Sequence, residues 1–124
     1  EMVIDVVQKT LLHCFSKRRH IVVEEGIENI GVAAFENCIL LQTISLPSSL
    51  LMIDDYAFGY CDSLKAIDIP EGVIKIGDNA FVFCKNLNSV VLPRSLRTIG
   101  DYAFHISENI QNMVLPKGVT NVGN

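Results

Sequence analysis

The chain has 124 residues, of which 49% are hydrophobic and 19% are charged, and its formal net charge is −4. This length predicts one domain, and this apolar content excludes a wholly disordered chain. The apolar runs are too short to span a membrane. The mild acidity predicts no general attraction to nucleic acid or anionic lipid. Four cysteines are too few for a disulfide scaffold at this length.

The first twenty residues contain two β-prone runs, 2–6 and 10–15, each followed by polar turn residues. They predict a β-hairpin over residues 1–20 that caps the segment after it, because an open end would expose apolar side chains and strand edges. A single amphipathic helix is the alternative. The β-branched residues and the lack of a clean apolar stripe at i, i+4 disfavour it.

A 23-residue repeat organises residues 21–124. All four prolines recur at that spacing, as do an Ala-Phe pair and three of the cysteines. The repeat defines coils 21–43, 44–66, 67–89 and 90–112, and a partial coil 113–124. Apolar residues recur in register, so each coil is expected to pack on its neighbours as in a solenoid. The predicted core includes the columns Phe35, Phe58, Phe81, Phe104 and Cys38, Cys61, Cys84.

The repeat also predicts the path of one coil, whose positions we number 1 to 23. Apolar residues at positions 1 and 3, followed by proline at position 4, predict a short inward-facing strand. The apolar pair at positions 7 and 10 predicts a second extended segment on the opposite wall. A glycine follows it where the chain must turn. Aspartate at position 12 then sits where the N-cap of a short helical turn belongs, as at Asp55, Asp78 and Asp101.

This pattern, Ile-x-Leu-Pro followed by Ile-Gly-Asp-x-Ala-Phe-x-x-Cys, resembles the leucine-rich repeats of the BspA-like type over residues 21–124. The resemblance implies a curved solenoid with a parallel sheet on its concave side. It also implies a cell-surface or secreted protein that attaches to host proteins or to other cells. Three positions depart from the pattern: Glu24 replaces the first proline, Val32 the first aspartate and Ser107 the fourth cysteine.

The cysteine column is the sharpest chemical candidate. Parallel side chains about 4.8 Å apart do not converge as a disulfide requires, and a linear ladder cannot supply four zinc ligands. We therefore favour a column of buried, reduced thiols over a disulfide or a metal site.

The remaining polar groups predict no catalytic, cofactor or metal site. The aspartate column fits helix caps better than calcium ligands. The basic run 17–20 fits a solvated turn better than a phosphate site. The three histidines and the serines form no recognisable dyad or nucleophile elbow. The sequence therefore predicts a protein that is not an enzyme.

The concave face is the remaining candidate site. Positions 22, 23 and 2 should point outward there, and they are mostly small, polar and weakly charged. The residues that we expect to contact a protein or glycan partner are Ser45, Lys65, Asp68, Asn88, Ser89 and Gln111.

The leading functional hypothesis is a protein-interaction module of an adhesion-type surface protein. The alternatives are a cytoplasmic scaffold, since unpaired cysteines fit a reducing compartment, and a structural spacer. The spacer would self-associate through the apolar edge of its last coil, 113–124.

Overall fold

A computed structural model describes residues 2–6, 8–14 and 17–124. The chain winds into a β-solenoid of about five coils with parallel sheets, which confirms the predicted fold class. The strands in chain order are β1 (Met2–Asp5), β2 (Thr10–Cys14), β3 (His20–Val22), β4 (Asn29–Ile30), β5 (Thr43–Ser45), β6 (Met52–Ile53), β7 (Ala66–Asp68), β8 (Lys75–Ile76), β9 (Ser89–Val91), β10 (Thr98–Ile99) and β11 (Asn121–Val122).

The second extended segment of each coil forms the longest sheet of the described residues. Its seven strands lie in the order β1-β2-β4-β6-β8-β10-β11. From β4 onward all pairs are parallel, and residues 23 apart are partners, as in Ile53 with Ile76. The sequence predicted this wall. It did not indicate that this sheet would be more continuous than the sheet formed by the first strand of each coil.

The first segment of each coil forms a second wall, which is divided into the pairs β3-β5 and β7-β9. The middle residue of each strand, such as Ile44 or Ile67, is buried, whereas its two neighbours face outward. This is the alternation expected when one face of a short strand packs on a core.

A third wall replaces the predicted helical turns, and this expectation was wrong. None of the described residues is helical; segments 31–40, 54–63, 77–86 and 100–109 form turns. We call these four segments the turn wall. Alternate backbone N–H groups there donate to the next coil, for example Phe58 to Ala80 O at 2.8 Å and Tyr60 to Val82 O at 2.8 Å. The backbone is thus satisfied between coils rather than within a helix.

The aspartates of position 12 are therefore not helix caps. Asp55 Oδ1 accepts the backbone N–H of Asp78 at 2.8 Å, and Asp78 Oδ1 accepts that of Asp101 at 2.8 Å. The local signal for a cap was real, because a carboxylate does accept a backbone N–H. The donor, however, lies one coil later in the chain.

The glycines of position 11 are required by close approach and not by a turn. Neither Gly77 nor Gly100 has a positive φ. A Cβ on Gly77 would overlap Asp55 Oδ1 and lie only 2.6 Å from Asp55 N. Coil two departs from this rule: its position 11 is Asp54, and the preceding coil has Val32 in place of the aspartate. Asp54 Oδ1 accepts the N–H of Asp55 at 2.9 Å, which supplies the missing carboxylate.

The phenylalanine column forms the centre of the core. Phe35, Phe58 and Phe81 are fully buried, and their rings stack nearly parallel with centroids 5.1 and 5.2 Å apart. Phe104 extends the stack at 5.2 Å but is only half-buried. Cys61 and Cys84 are also buried, whereas Cys38 is half-buried.

The N-terminal segment forms an antiparallel hairpin whose second strand joins the long sheet. β1 pairs with β2, and β2 then pairs in parallel with β4, with Leu11 opposite Ile30. Val7, Phe15 and Ser16, which belong to the predicted strands and turns, lie outside the described residues. The parallel pairing shows that β2 occupies the place of a strand from a preceding coil.

A finer alternation with a period of two coils runs along the corner after the proline position. Coils one and three have Glu-Gly there. Coil two has Ser48-Ser49, and coil four has Arg94-Ser95. Gly26 N donates to Ser49 Oγ and Gly72 N to Ser95 Oγ, both at 2.9 Å. Glu71 likewise accepts the backbone N–H of the residue one coil later, at 3.0 Å. Each odd-numbered coil thus has a backbone N–H and a carboxylate whose hydrogen-bond partners lie in the following even-numbered coil.

Candidate interaction surface

The predicted binding residues all lie on the second wall. We call its outward side, made by β3, β5, β7, β9 and the residues flanking them, the strand face. Hydrogen bonds from Asn88 N to Lys65 O and from Gln111 N to Asn88 O, both 2.9 Å, place these three exposed residues in one column. Ser45 and Asp68 are exposed on the same side, and Ser89 is half-buried.

The strand face is more apolar than the sequence indicated. Three valines at position 2 of their coils are exposed on it, Val22 at 73%, Val91 at 53% and Val114 at 82%. Val22 pairs with Ser45 across the ladder, and Val91 pairs with Asp68. Polar side chains therefore occupy the middle of the column at position 2, and valines occupy its two ends.

A shallow groove opens at one end of the strand face. Beyond β9 the ladder shrinks to a single bridge between Ser89 and Asn112. The groove left beside it has a volume of about 380 Å³, and Val91 and Val114 lie on its two sides.

The cysteine column is protected rather than reactive. Cys61 Sγ and Cys84 Sγ each donate to the carbonyl of a phenylalanine in an earlier coil at 3.2 Å, and Ser107 Oγ makes the same bond at 2.7 Å. Burial raises the pKa of the Cys84 thiol to about 12 and, together with the neighbouring Cys14, that of Cys38 to about 11. Such thiols stay protonated near neutral pH and are poor nucleophiles and metal ligands.

The described residues contain no group of three or more histidine, cysteine, aspartate or glutamate side chains placed to hold a metal ion. They also include no helix with the length and apolar character that crossing a bilayer requires.

A family model for the BspA type leucine-rich repeat region matches residues 8–124 in six copies. The chain belongs to this BspA-type family. The match begins before the 23-residue register does, at residue 8, which agrees with the parallel pairing of β2 in the long sheet.

Solved structures show the same fold. The chain is similar to a leucine-rich repeat protein of T. pallidum, with 29% identity and a TM-score of 0.92 over 99% of this chain and 61% of that one. It is also similar to a leucine-rich cell surface protein of Faecalibacterium prausnitzii, with 26% identity and a TM-score of 0.68 over 83% of this chain and 34% of that one. The BspA-type chain thus spans less than two thirds of the length of these proteins. No curated protein matches it.

A second exposed feature was missed by the sequence analysis. On the turn wall of this BspA-type chain, aromatic side chains cluster at the surface. Tyr60 stacks on Phe83 at 5.1 Å, and His105 contacts both Phe83 and Tyr102 edge-on at 6.4 and 5.2 Å. We call this cluster, together with the exposed Tyr56, the aromatic strip. Its members occupy unequal positions of the repeat, so no single column of the sequence reveals it.

Proposed function

We propose that this BspA-type chain is a non-enzymatic interaction module of a cell-surface or secreted adhesion-type protein. It binds a protein or glycan partner through the strand face. The observation that carries the proposal is the exposed set of hydrogen-bonding residues together with the three exposed valines of the same face. Similarity to a protein described as a cell surface protein supports the location.

The composition of the strand face suits recognition without chemistry. Lys65 and Asp68 offer opposite charges, and Asn88 and Gln111 offer amide donors and acceptors, all at the solvent-exposed side of short strands. The valines beside them offer apolar area that a partner would remove from water. The coils repeat at a fixed spacing, so these groups form a rigid row. A partner binds well only if its own groups match that spacing, which gives specificity.

Binding through the strand face is tested with Lys65→Ser, Asp68→Ser, Asn88→Ser and Ser89→Ala combined. The labelled chain is applied to immobilised extracellular-matrix proteins and to a glycan array, and ligands bound by the unaltered chain are titrated. We expect the combined variant to bind at least about tenfold more weakly, equivalent to about 1.4 kcal/mol.

The matched control is Lys75→Ser with Ile74→Ser, which removes exposed side chains from the long sheet instead. Circular dichroism verifies the fold of both variants. Unchanged binding by a folded strand-face variant would contradict the assignment of this face.

The proposed location is tested separately. An antibody raised against residues 21–112 is applied to intact cells and to cell fractions of the source organism. We expect signal at the surface or in the medium. Signal confined to the cytosol would instead favour the intracellular scaffold.

Exposed apolar residues of the last coil favour one second candidate, self-association. Leu115 is 51% exposed there, and Val122 is also exposed. If this edge joins two copies, light scattering should show a dimer that Leu115→Ser dissociates. A monomer at high protein concentration would exclude this candidate.

A further inference from the structure

The aromatic strip places large aromatic side chains at the surface of the turn wall. It contains all three tyrosines of the chain. Tyr60 is 39% and Tyr102 48% exposed, and Phe83 lies half-buried between Tyr60 and His105. Tyrosine is among the residues most enriched where protein interfaces gain their binding energy. The strand face has no side chain of this kind.

The strip is built on backbone that does not favour aromatic residues. Tyr56, Tyr60, Phe83 and Tyr102 all have φ between 57° and 61°, in the left-handed region. Asparagine tolerates that region better than aromatic residues do. Asparagine in fact occupies the equivalent positions of other coils, at Asn37 (φ 63°) and Asn79 (φ 57°). Local backbone preference therefore does not explain the aromatic residues, and burial does not explain the exposed ones.

The surroundings of the strip are acidic. The four segments of the turn wall contain seven of the chain's 14 acidic residues but only one of its 10 lysines and arginines, Lys85. Asp78 and Asp101 flank the strip on one side and are exposed. Each uses Oδ1 to accept a backbone N–H from the next coil. Glu108 is exposed on the other side, and Asp62 is partly exposed there.

We infer that the aromatic strip binds a basic segment, rich in arginine or lysine, of a partner protein. This inference rests on the proposed interaction function and adds a second face to it. The carboxylates attract the cationic groups, while the aromatic rings contact the aliphatic stems and remaining apolar side chains of the segment. Tyr56 is 37% exposed, so a guanidinium or ammonium group of the segment can contact its ring.

The fluorescence of the chain provides a direct readout of this site. The chain has no tryptophan, and its three tyrosines all lie in the strip. Tyrosine emission of the folded chain therefore reports this wall alone. The probe is a short peptide of alternating arginine, serine and leucine, which is itself free of aromatic residues. Its twin carries glutamate in place of every arginine.

We expect the arginine peptide to change tyrosine emission with a saturable isotherm, and to bind at least tenfold more tightly than its glutamate twin. Added salt should weaken this binding, because part of the attraction is between exposed charges. The double variant Tyr60→Asn, Phe83→Asn should bind a fluorescein-labelled arginine peptide at least tenfold more weakly, as measured by anisotropy. Asparagine suits the left-handed backbone, so this variant should still fold, which circular dichroism verifies.

Ile74→Asn beside the long sheet is the matched control, since it removes an exposed apolar side chain from a wall outside both proposed binding faces. It should leave peptide affinity unchanged. Equal affinity for the two peptides, or undiminished affinity of the folded Tyr60→Asn, Phe83→Asn variant, would overturn the inference. Failure of the proposed strand-face function is a separate result, because the strand-face variant retains the whole aromatic strip.

Discussion

At the scale of single residues, hydrogen bonds between residues 23 or more apart in the sequence determine which side chains a position of the repeat accepts. Cys61 and Cys84 donate their S–H to carbonyls of earlier coils, and Ser107 does the same with its hydroxyl. A small donor is therefore what this column requires. Sulfur chemistry is not needed there, which explains why serine can replace the fourth cysteine.

The protected thiols predict that stability falls at alkaline pH. The folded pKa of Cys84 is about 12, whereas an unfolded cysteine ionises near 8.5. Above that pH the unfolded state releases a proton that the folded state keeps. The contribution of this thiol to the free energy of unfolding is therefore complete below about pH 8.5 and is lost as the pH rises toward 12. Between pH 8 and 10 the loss is about 2 kcal/mol for this thiol.

Urea denaturation of the unaltered chain and of Cys84→Ser, each at both pH values, measures this effect. The free energy of unfolding of the variant should fall by about 2 kcal/mol less than that of the unaltered chain over the same pH interval. Parallel losses in the two proteins would contradict the protected state of Cys84.

Position 11 offers a second test at this scale, because it holds glycine in one coil and aspartate in another. Gly77→Ala should cost about 1–3 kcal/mol, since its Cβ would overlap the aspartate of the coil before. Asp54→Ala, at the same position of coil two, removes one partly buried hydrogen bond and should cost about 1 kcal/mol or less. Thermal denaturation compares the two variants, and equal losses would refute the close-approach explanation.

At the scale of elements, the phenylalanine column forms the centre of the core. Phe81 is fully buried and is stacked on both sides, whereas Phe104 is half-buried and has Phe81 as a stacking partner on one side. Phe81→Ala should therefore cost about 3–5 kcal/mol. Phe104→Ala should cost clearly less. Chemical denaturation followed by circular dichroism measures both, and a loss below about 1 kcal/mol at Phe81 would place this residue outside the core.

The sequence predicted the coils, the two strand walls and the core columns, because the period of the apolar residues records which side chains face inward. It failed on the turn wall. Asp78 before an Ala-Phe pair is a local pattern typical of a helix cap, and nothing local indicates that its carboxylate bonds Asp101 one coil later. The aromatic strip was missed for a related reason, since Tyr60 and His105 come to contact Phe83 only once coils are stacked.

At the scale of the whole molecule, each coil is stabilised by its neighbours, so protection of backbone amides should depend on place in the stack. The N–H groups of Phe58 and Phe81 donate to the next coil at 2.8 and 2.7 Å and lie among buried residues. Val122 and Leu115, in the last coil, are exposed. Hydrogen exchange should be slowest in coils two and three and fastest in residues 113–124. Uniform protection along the chain would show that the coils unfold as one unit.

The alternation of glycine and serine along the corner has a consequence for how such a molecule can change its length. Removing coil two alone, residues 44–66, would set Gly26 against Gly72 and Glu25 against Glu71, leaving an N–H without its hydroxyl and two like charges face to face. Removing 44–89 instead would set Ser95 against Gly26 and Arg94 against Glu25. A deletion or duplication of 46 residues, two coils, therefore preserves the pairings of this corner, whereas one of 23 residues disrupts them.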